Sequence, residues 1–187
     1  MRAVLASGRA GRRVSGLRNV AIPVMEELRR ATEETIHLTY RFERSIVLIE
    51  RLDGIKPVAY FLAYGAVYDI HATSAGKSIL SRFAADELED YLTGPLGAST
   101  AHTITDAARL REDLREARER GYAVTLGGNV ADVHAVGAAI CDRTGTPVAA
   151  VSISAPADRL NESLIAEYGP LAADAARRIS MGVSGAG

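Results

Sequence analysis

The sequence predicts an α+β domain. About six short strands, several joined as antiparallel hairpins, form a mainly antiparallel sheet, with helices at both ends of the chain and in its middle. Three observations carry this. Apolar residues recur at three- and four-residue steps over residues 17–31, 107–117 and 164–179. Between those stretches lie short runs that alternate apolar and polar residues, or are apolar throughout, separated by turn signals such as Asp53-Gly54. The 187 residues are 48% hydrophobic and 24% charged, which suits one packed core and is unlike a disordered chain.

The first 18 residues carry Arg2, Arg9, Arg12, Arg13 and Arg18 and no acid. Residues 1–16 are rich in Gly, Ser and Ala, without an apolar stripe before Val14, and read as a basic flexible leader. Five scattered arginines with no aromatic or motif around them are a weak signal for DNA contact. Residues 17–34 read as a helix with Leu17, Val20, Val24, Leu28 and Ala31 inward and Glu26, Glu27, Arg29, Arg30 and Glu33 outward. Pro23 must open this helix or kink it. Residues 35–187 form the folded body.

Residues 35–41 alternate, with Ile36, Leu38 and Tyr40 on one face and His37, Thr39 and Arg41 on the other, as in a half-buried strand. Residues 45–51 form a second strand, and Asp53-Gly54 predicts a hairpin into residues 58–62. A short strand near 67–70 precedes a helix over 75–80, capped by Thr73 or Ser74. Asp86 is placed to cap a helix over Leu88, Tyr91 and Leu92 that ends at Gly94-Pro95.

Asp106 opens the clearest helix. Ala107, Leu110, Leu114 and Ala117 are its stripe, Gly121 its C-terminal cap, and Glu116 precedes Arg120 at the supportive spacing. Strands follow at 122–126, 133–141 and 147–154, the last two apolar on both faces and therefore central or covered. The final helix, 161–181, places Leu164, Tyr168, Leu171, Ala175 and Ile179 inward, with a kink at Pro170.

Composition excludes several functions. Lys+Arg is 22 and Asp+Glu 23, so the formal net charge is -1, unlike a general nucleic-acid binder. One cysteine, Cys141, excludes an intrachain disulfide framework and a Cys-rich zinc module. No apolar run approaches the ~20 residues of a membrane span, so no membrane association and a cytoplasmic location are expected. His134 and Cys141 lie seven residues apart on one strand, hence on opposite faces. The four histidines, His37, His71, His102 and His134, lack metal-ligand spacing. The acid pairs Glu26-Glu27 and Glu33-Glu34 read as a solvated helix face. No catalytic residue, metal or cofactor is therefore assigned.

Two spots remain. Thr73-Ser74-Ala75-Gly76-Lys77 begins a helix directly after a strand, where free N–H groups favour an anion; capping and close packing at Gly76 explain the same residues. Ser152 and Ser154 share one face of an otherwise apolar strand, and buried hydroxyls need partners.

The residues also resemble a known family. Residues 17–28, LRNVAIPVMEEL, and Glu34-Thr35-Ile36-His37-Leu38 look like the linker helix and first strand of IclR-type transcriptional regulators. Residues 71–80, HATSAGKSIL, are similar to the family's HATASGKALL stretch. Thr103-Ile104-Thr105-Asp106, Arg120-Gly121-Tyr122-Ala123-Val124 and Val151-Ser152-Ile153-Ser154-Ala155-Pro156 match three further blocks in order. The resemblance covers about residues 17–181.

It implies a GAF-like effector-binding domain that binds a small organic acid and assembles as a homodimer or homotetramer. The family's DNA contact comes from a winged helix-turn-helix ahead of this domain, which 16 residues cannot hold, so the chain looks like the effector half of a DNA-binding regulator such as a repressor. The implied pocket falls on Ser74, Ala75 and Gly76 at the helix start, on Thr125 and Ala135, and on Ser152 and Ser154. Thr125 stands where an aspartate is common and Ala135 where a cysteine is common, and Gly127, Gly128 and Asn129 replace acids. Two other readings stay open: a ligand-free assembly module, and an enzyme on the same fold using His71, His134 or Cys141.

Overall fold

The computed structural model describes residues 8–56 and 63–185. In chain order the elements are α1 (Gly8–Thr32), β1 (Thr35–Phe42), β2 (Ser45–Leu52), β3 (Val67–Asp69), a 3-10 turn (Ile70–Ala72), α2 (Ser74–Leu80), α3 (Ala85–Thr93), α4 (Ala107–Arg120), β4 (Ala123–Leu126), β5 (Val133–Cys141), β6 (Pro147–Pro156) and α5 (Glu162–Gly185). The six strands make one sheet of order β3-β2-β1-β6-β5-β4, with every neighbouring pair antiparallel. The α+β expectation holds.

Helices cover both faces of the sheet. On one face α1 and α5 pack against Ile36, Leu38, Val136, Val151 and Ile153 through Leu17, Met25, Tyr168 and Ile179. On the other, α2, α3 and α4 close a second core around Ile46, Ile70, Ile79, Leu80, Leu110, Leu114 and Tyr91. β1 and β6 lie at the centre, so β1 is buried on both faces from Thr35 to Thr39 rather than on one.

Helix α1 differs from the expected linker helix. It starts at Gly8, inside the stretch read as a flexible leader; the part of that leader at 1–7 lies outside the described residues. Once the packed half of a helix is nucleated, each added residue gains a bond, and Arg and Ala propagate well. The helix runs through Pro23, which is exposed; the carbonyl that loses its N–H partner belongs to Asn19, also exposed. Its buried residues are Leu17, Ala21, Met25, Leu28 and Thr32; Val20 and Val24 are half-buried and Ala31 is exposed. Residues 17–34 thus share a core with the folded body. The Tyr168 hydroxyl donates to the Thr32 carbonyl at 3.3 Å, and Arg178 pairs with Glu27 at 2.7 Å.

Glu34 is not on a solvated face. It is 0% exposed and held by Arg159, with Nε to Oε1 at 2.7 Å and Nη2 to Oε2 at 2.9 Å, and Lys56 lies 3.7 Å away. The Asp53-Gly54 turn docks here too: the amides of Ile55 and Lys56 donate to the Glu33 carbonyl at 2.9 and 3.3 Å. The hairpin partner expected at 58–62 lies outside the described residues; among the described strands β2 pairs with β1 and β3.

Cap chemistry places α4. Asp106 accepts from the Arg109 amide at 2.8 Å, and Gly121 ends the helix at φ 85°. Arg120 donates to the Tyr122 carbonyl, and the ion pairs within this helix run from Arg115 to Glu112 and Glu119 rather than along the expected Glu116 to Arg120 spacing. In α3 Asp86 sits in the first turn, and Ala84 holds the cap position without a side-chain bond. In α5 the chain stays helical through Pro170; Leu171 is 37% exposed, and Ala172 and Ala176 join Tyr168, Ala175 and Ile179 in the core. No helix among the described residues is long and apolar enough to cross a membrane.

Candidate functional site

The alternation of β6 sorts its side chains. Val151, Ile153 and Ala155 enter the α1/α5 core, and Ser152 and Ser154 point to the opposite face. Register places Ser152 between Gly137 of β5 and His37 of β1. Ser154 lies between Ala135 and Thr35, and Thr125 of β4 lies opposite Ala135. The row Thr125, Ala135, Ser154, Thr35 therefore crosses four adjacent strands on one face, at about 4.8 Å per strand.

The start of α2 sits directly on this face. A Cβ at Gly137 would stand 2.7 Å from the Ala75 amide nitrogen, so the missing side chain lets the helix approach. A Cβ at Gly76 would meet the Ile70 carbonyl oxygen at 1.8 Å, which makes glycine obligatory there. Thr73 caps the helix by accepting from the Gly76 amide at 2.9 Å.

Between α2 and the sheet lies a cavity of about 50 Å³. His37 and Thr39 of β1, Ile46, Tyr68, Thr73, Ser74, Ala75, Thr125, Asn129, Val130, Val133, Ala135, Ser152 and Ser154 line it. Six of the seven expected site residues thus meet at one place. Gly76 is not among the lining residues, because it packs against the 3-10 turn and its amide is spent on Thr73. His37 and Thr39 are additions. The signal for them was the polar face of the β1 alternation, which looks like a solvent face until β1 is known to pair with β6.

The electrostatics of the cavity are simple. Among the described residues no lysine, arginine or carboxylate lines it, and the titratable groups that do are His37 and Tyr68. His37 is 2% exposed, and burial, reinforced by the positive charge of Arg51 and opposed by Asp53, pushes its imidazole down to about 4, so it is neutral at pH 7. Burial pushes the Tyr68 hydroxyl up. His37 Nδ1 lies 3.3 Å from Ser154 Oγ. Thr125 Oγ1 is buried without a hydrogen-bond partner, a costly state for a hydroxyl. Helix α2 is only two turns long, so its dipole adds little to the N–H groups at its start.

Thr125 also borders a wider groove. There the buried Lys77 ammonium lies 2.8 Å from Asp113, its ionisation pushed down by burial and supported by that carboxylate.

His71, His102 and His134 also border the wider groove, and among the described residues none of them is hydrogen-bonded to another or to Cys141. His71 is held between the Tyr91 hydroxyl and the Gly97 carbonyl, both at 2.9 Å, with the Tyr91 phenol pushed up to about 12 by burial. His134 Nδ1 meets the Leu160 carbonyl at 2.9 Å. Burial raises the Cys141 thiol above its usual range, which leaves it a poor nucleophile. Among the described residues no group of three or more His, Cys, Asp or Glu side chains is arranged to hold a metal ion.

Residues 13–181 match the profile of the family described as bacterial transcriptional regulator IclR C-terminal. The chain is 37% identical over 164 residues to the HTH-type transcriptional repressor AllR of Escherichia coli strain K12, which covers 87% of this chain and 60% of that protein. The chain therefore spans about 60% of the length of this relative. Among solved structures, the Thermotoga maritima IclR superposes with a TM-score of 0.86 at 33% identity, covering 89% of this chain and 68% of that one. An IclR homolog from Microbacterium hydrocarbonoxydans complexed with 4-hydroxybenzoate superposes with a TM-score of 0.82 at 26% identity, covering 98% of this chain and 74% of that one. These relatives are transcriptional regulators, not enzymes.

Proposed function

The chain belongs to the IclR family of bacterial transcriptional regulators, of which it holds the C-terminal effector-binding domain, and on that premise we propose that it senses a small organic acid in the cavity between α2 and β6. The observation that carries this reading is the unpartnered Thr125 Oγ1, buried in the wall of a cavity whose floor presents Ser152 and Ser154. Hydroxyls and α2 amides are the donors a carboxylate needs, and a bound acid supplies the missing partner. The cavity has room for a few water-sized groups. It suits a two- or three-carbon acid, and an aromatic acid enters only if α2 or the segment around Asn129 yields.

The acid acts through assembly. The domain associates as a dimer or tetramer, and ligand binding selects one arrangement of the protomers. That sets the spacing of winged helix-turn-helix heads that contact DNA outside these 187 residues. The protein works in the cytoplasm, as a repressor like the named relative. A ligand achieves the change only through its different affinities for the two arrangements.

Thermal unfolding with a panel of acetate, lactate and 4-hydroxybenzoate tests the sensor reading. At least one acid raises Tm in the wild type and fails to do so in Ser152→Ala/Ser154→Ala. Stabilisation by none of them, or equal stabilisation of the variant, favours the second reading. In that reading the domain is a ligand-free assembly module, consistent with Thr125 and Ala135 standing where the family often has aspartate and cysteine.

A further inference from the structure

A buried carboxylate needs a compensating charge, and among the described residues the cavity walls carry no lysine or arginine. An ion moved from water into a protein interior is stabilised only by opposite charge and hydrogen bonds. The hydroxyls of Ser152, Ser154 and Thr125 supply hydrogen bonds but no charge. Among the described residues the one basic side chain in the lining is His37. We propose that His37 is the charge partner of the bound acid, so that the carboxylate enters the pocket together with one proton, which His37 takes up. This rests on the acid-sensor reading above and deepens it.

The geometry supports the assignment. β1 and β6 are hydrogen-bonded neighbours in the middle of the sheet, so His37 stands beside Ser152 on the cavity face, and its Nδ1 lies 3.3 Å from Ser154 Oγ. A carboxylate within reach of the two serines is within reach of the imidazole. The charged and titratable groups around His37 are few. From β2 and the turn after it come Arg51 and Asp53, ion-paired to each other, whose effects on His37 oppose. From β3 comes Tyr68, and from β6 and the start of α2 come only Ser152, Ser154, Thr73, Ser74 and Ala75.

In the empty pocket the imidazole is neutral, because burial disfavours its charged form. An anion at contact distance shifts that balance back toward the charged form by about one to three pH units. As pH falls through the raised value, the bound state becomes a neutral carboxylate–imidazolium pair, with both ring nitrogens as donors. Affinity therefore strengthens as pH falls from about 7 to about 5, by up to tenfold for each pH unit over which a whole proton is taken up. Monocarboxylates are preferred over dicarboxylates, whose second charge finds no counterpart in the lining.

Isothermal titration calorimetry of lactate and 4-hydroxybenzoate into the wild-type chain tests this. The titrations run at about pH 5.5 and 7.5, each in two buffers of different ionisation enthalpy. The expected result is net proton uptake at the lower pH and a several-fold tighter Kd there. His37→Gln binds more weakly, without uptake and with a flat pH response. NMR of the His37 ring in the wild type is the readout that needs no variant: its titration moves to higher pH when the acid saturates the site. Acid binding with no proton uptake and equal Kd at both pH values overturns the role of His37 and leaves the sensor reading standing. So does an unmoved His37 titration, or a His37→Gln variant that keeps the wild-type pH response. Absence of binding by either acid at both pH values overturns this proposal and counts against the sensor reading as well.

Discussion

Gly137 of β5 lies beneath the first turn of α2, where a Cβ would stand 2.7 Å from the Ala75 amide nitrogen and 2.8 Å from the Ser74 carbonyl carbon. Both contacts are backbone, so a side chain there cannot be accommodated by a rotamer change. Gly137→Ala must lift α2 off the sheet. The expected cost is about 1–3 kcal/mol in urea unfolding, with weaker stabilisation by acids, because the lifted helix carries Ser74 and Ala75 away from Ser152. An unchanged urea midpoint would show that the helix start is looser than the packing implies.

Arg159 and Glu34 make the opposite kind of contact, a two-pronged ion pair that ties the start of β1 to the segment before α5. Glu34 is 0% exposed, so Arg159→Ala leaves a buried carboxylate with Lys56 at 3.7 Å as its remaining cation. The expected loss is about 3 kcal/mol, toward the lower end for breaking a buried pair. Glu34→Gln costs less, because it removes the buried charge along with the pairing. Urea unfolding of both variants at pH 7 checks the order.

Acid destabilisation has an early component from His37. Its imidazole is held at about 4 in the folded protein against an ordinary value of 6.5. A depressed histidine contributes full stability above the unfolded value and loses it as pH falls toward the folded value. The loss therefore begins near pH 6.5 and grows toward pH 4, reaching roughly 3 kcal/mol. The carboxylates held low by partners, among them Glu50 and Asp142, lose their contribution only below their ordinary range of 4.5 and 3.8. Between about pH 6.5 and 4.5 the slope belongs to His37, and His37→Gln should flatten it in urea midpoints measured across that window.

Thr125→Val is the reverse of a usual core substitution. It keeps the shape and removes a buried hydroxyl that has no partner. In the absence of ligand the variant should be as stable as the wild type or up to about 1 kcal/mol more stable. Acid-induced stabilisation should fall, since Thr125 lines the cavity and loses its hydroxyl. Lower ligand-free stability in differential scanning calorimetry would mean that Thr125 Oγ1 is already satisfied.

Gly16 lies on the exposed side of α1, and a Cβ there would meet nothing within 4 Å. Gly16→Ala should raise Tm through helix propensity alone, by up to about 1 kcal/mol of stability. No change would indicate that the first turns of α1 fray in solution.

Local chemistry made some elements legible. Asp106 and Gly121 bound α4 because a cap and a left-handed stop act within one turn. The Asp142 turn between β5 and β6 is equally local, its carboxylate accepting from the Thr144 and Thr146 amides at 2.9 and 3.1 Å. Burial that depends on distant partners was not legible. Glu34 looks like one of two neighbouring surface acids until Arg159, 125 residues away, is placed against it. The inward faces of α1 and α5 differ from the apolar pattern where small residues do the packing: Ala21, Ala172 and Ala176 are buried while Leu171 is exposed. A hydrophobicity pattern weights size, and close-packed helices favour small side chains at their contacts.

The site was half legible for a related reason. Ser152 and Ser154 stood out as polar residues in an apolar strand. His37 and Thr39 did not, because alternation cannot distinguish a face turned to water from one turned to a cavity.

The alternation of β6 makes the sheet a partition one residue thick. Ser152 and Ser154 face the cavity, while Val151 and Ile153, their immediate chain neighbours, touch the core that α1 completes. A displacement of this strand by an occupant on one side reaches the opposite side without any intermediary. The helix that leads toward the chain's N-terminus thus leans on the back wall of the chamber, and wall and chamber cannot be altered independently of one another.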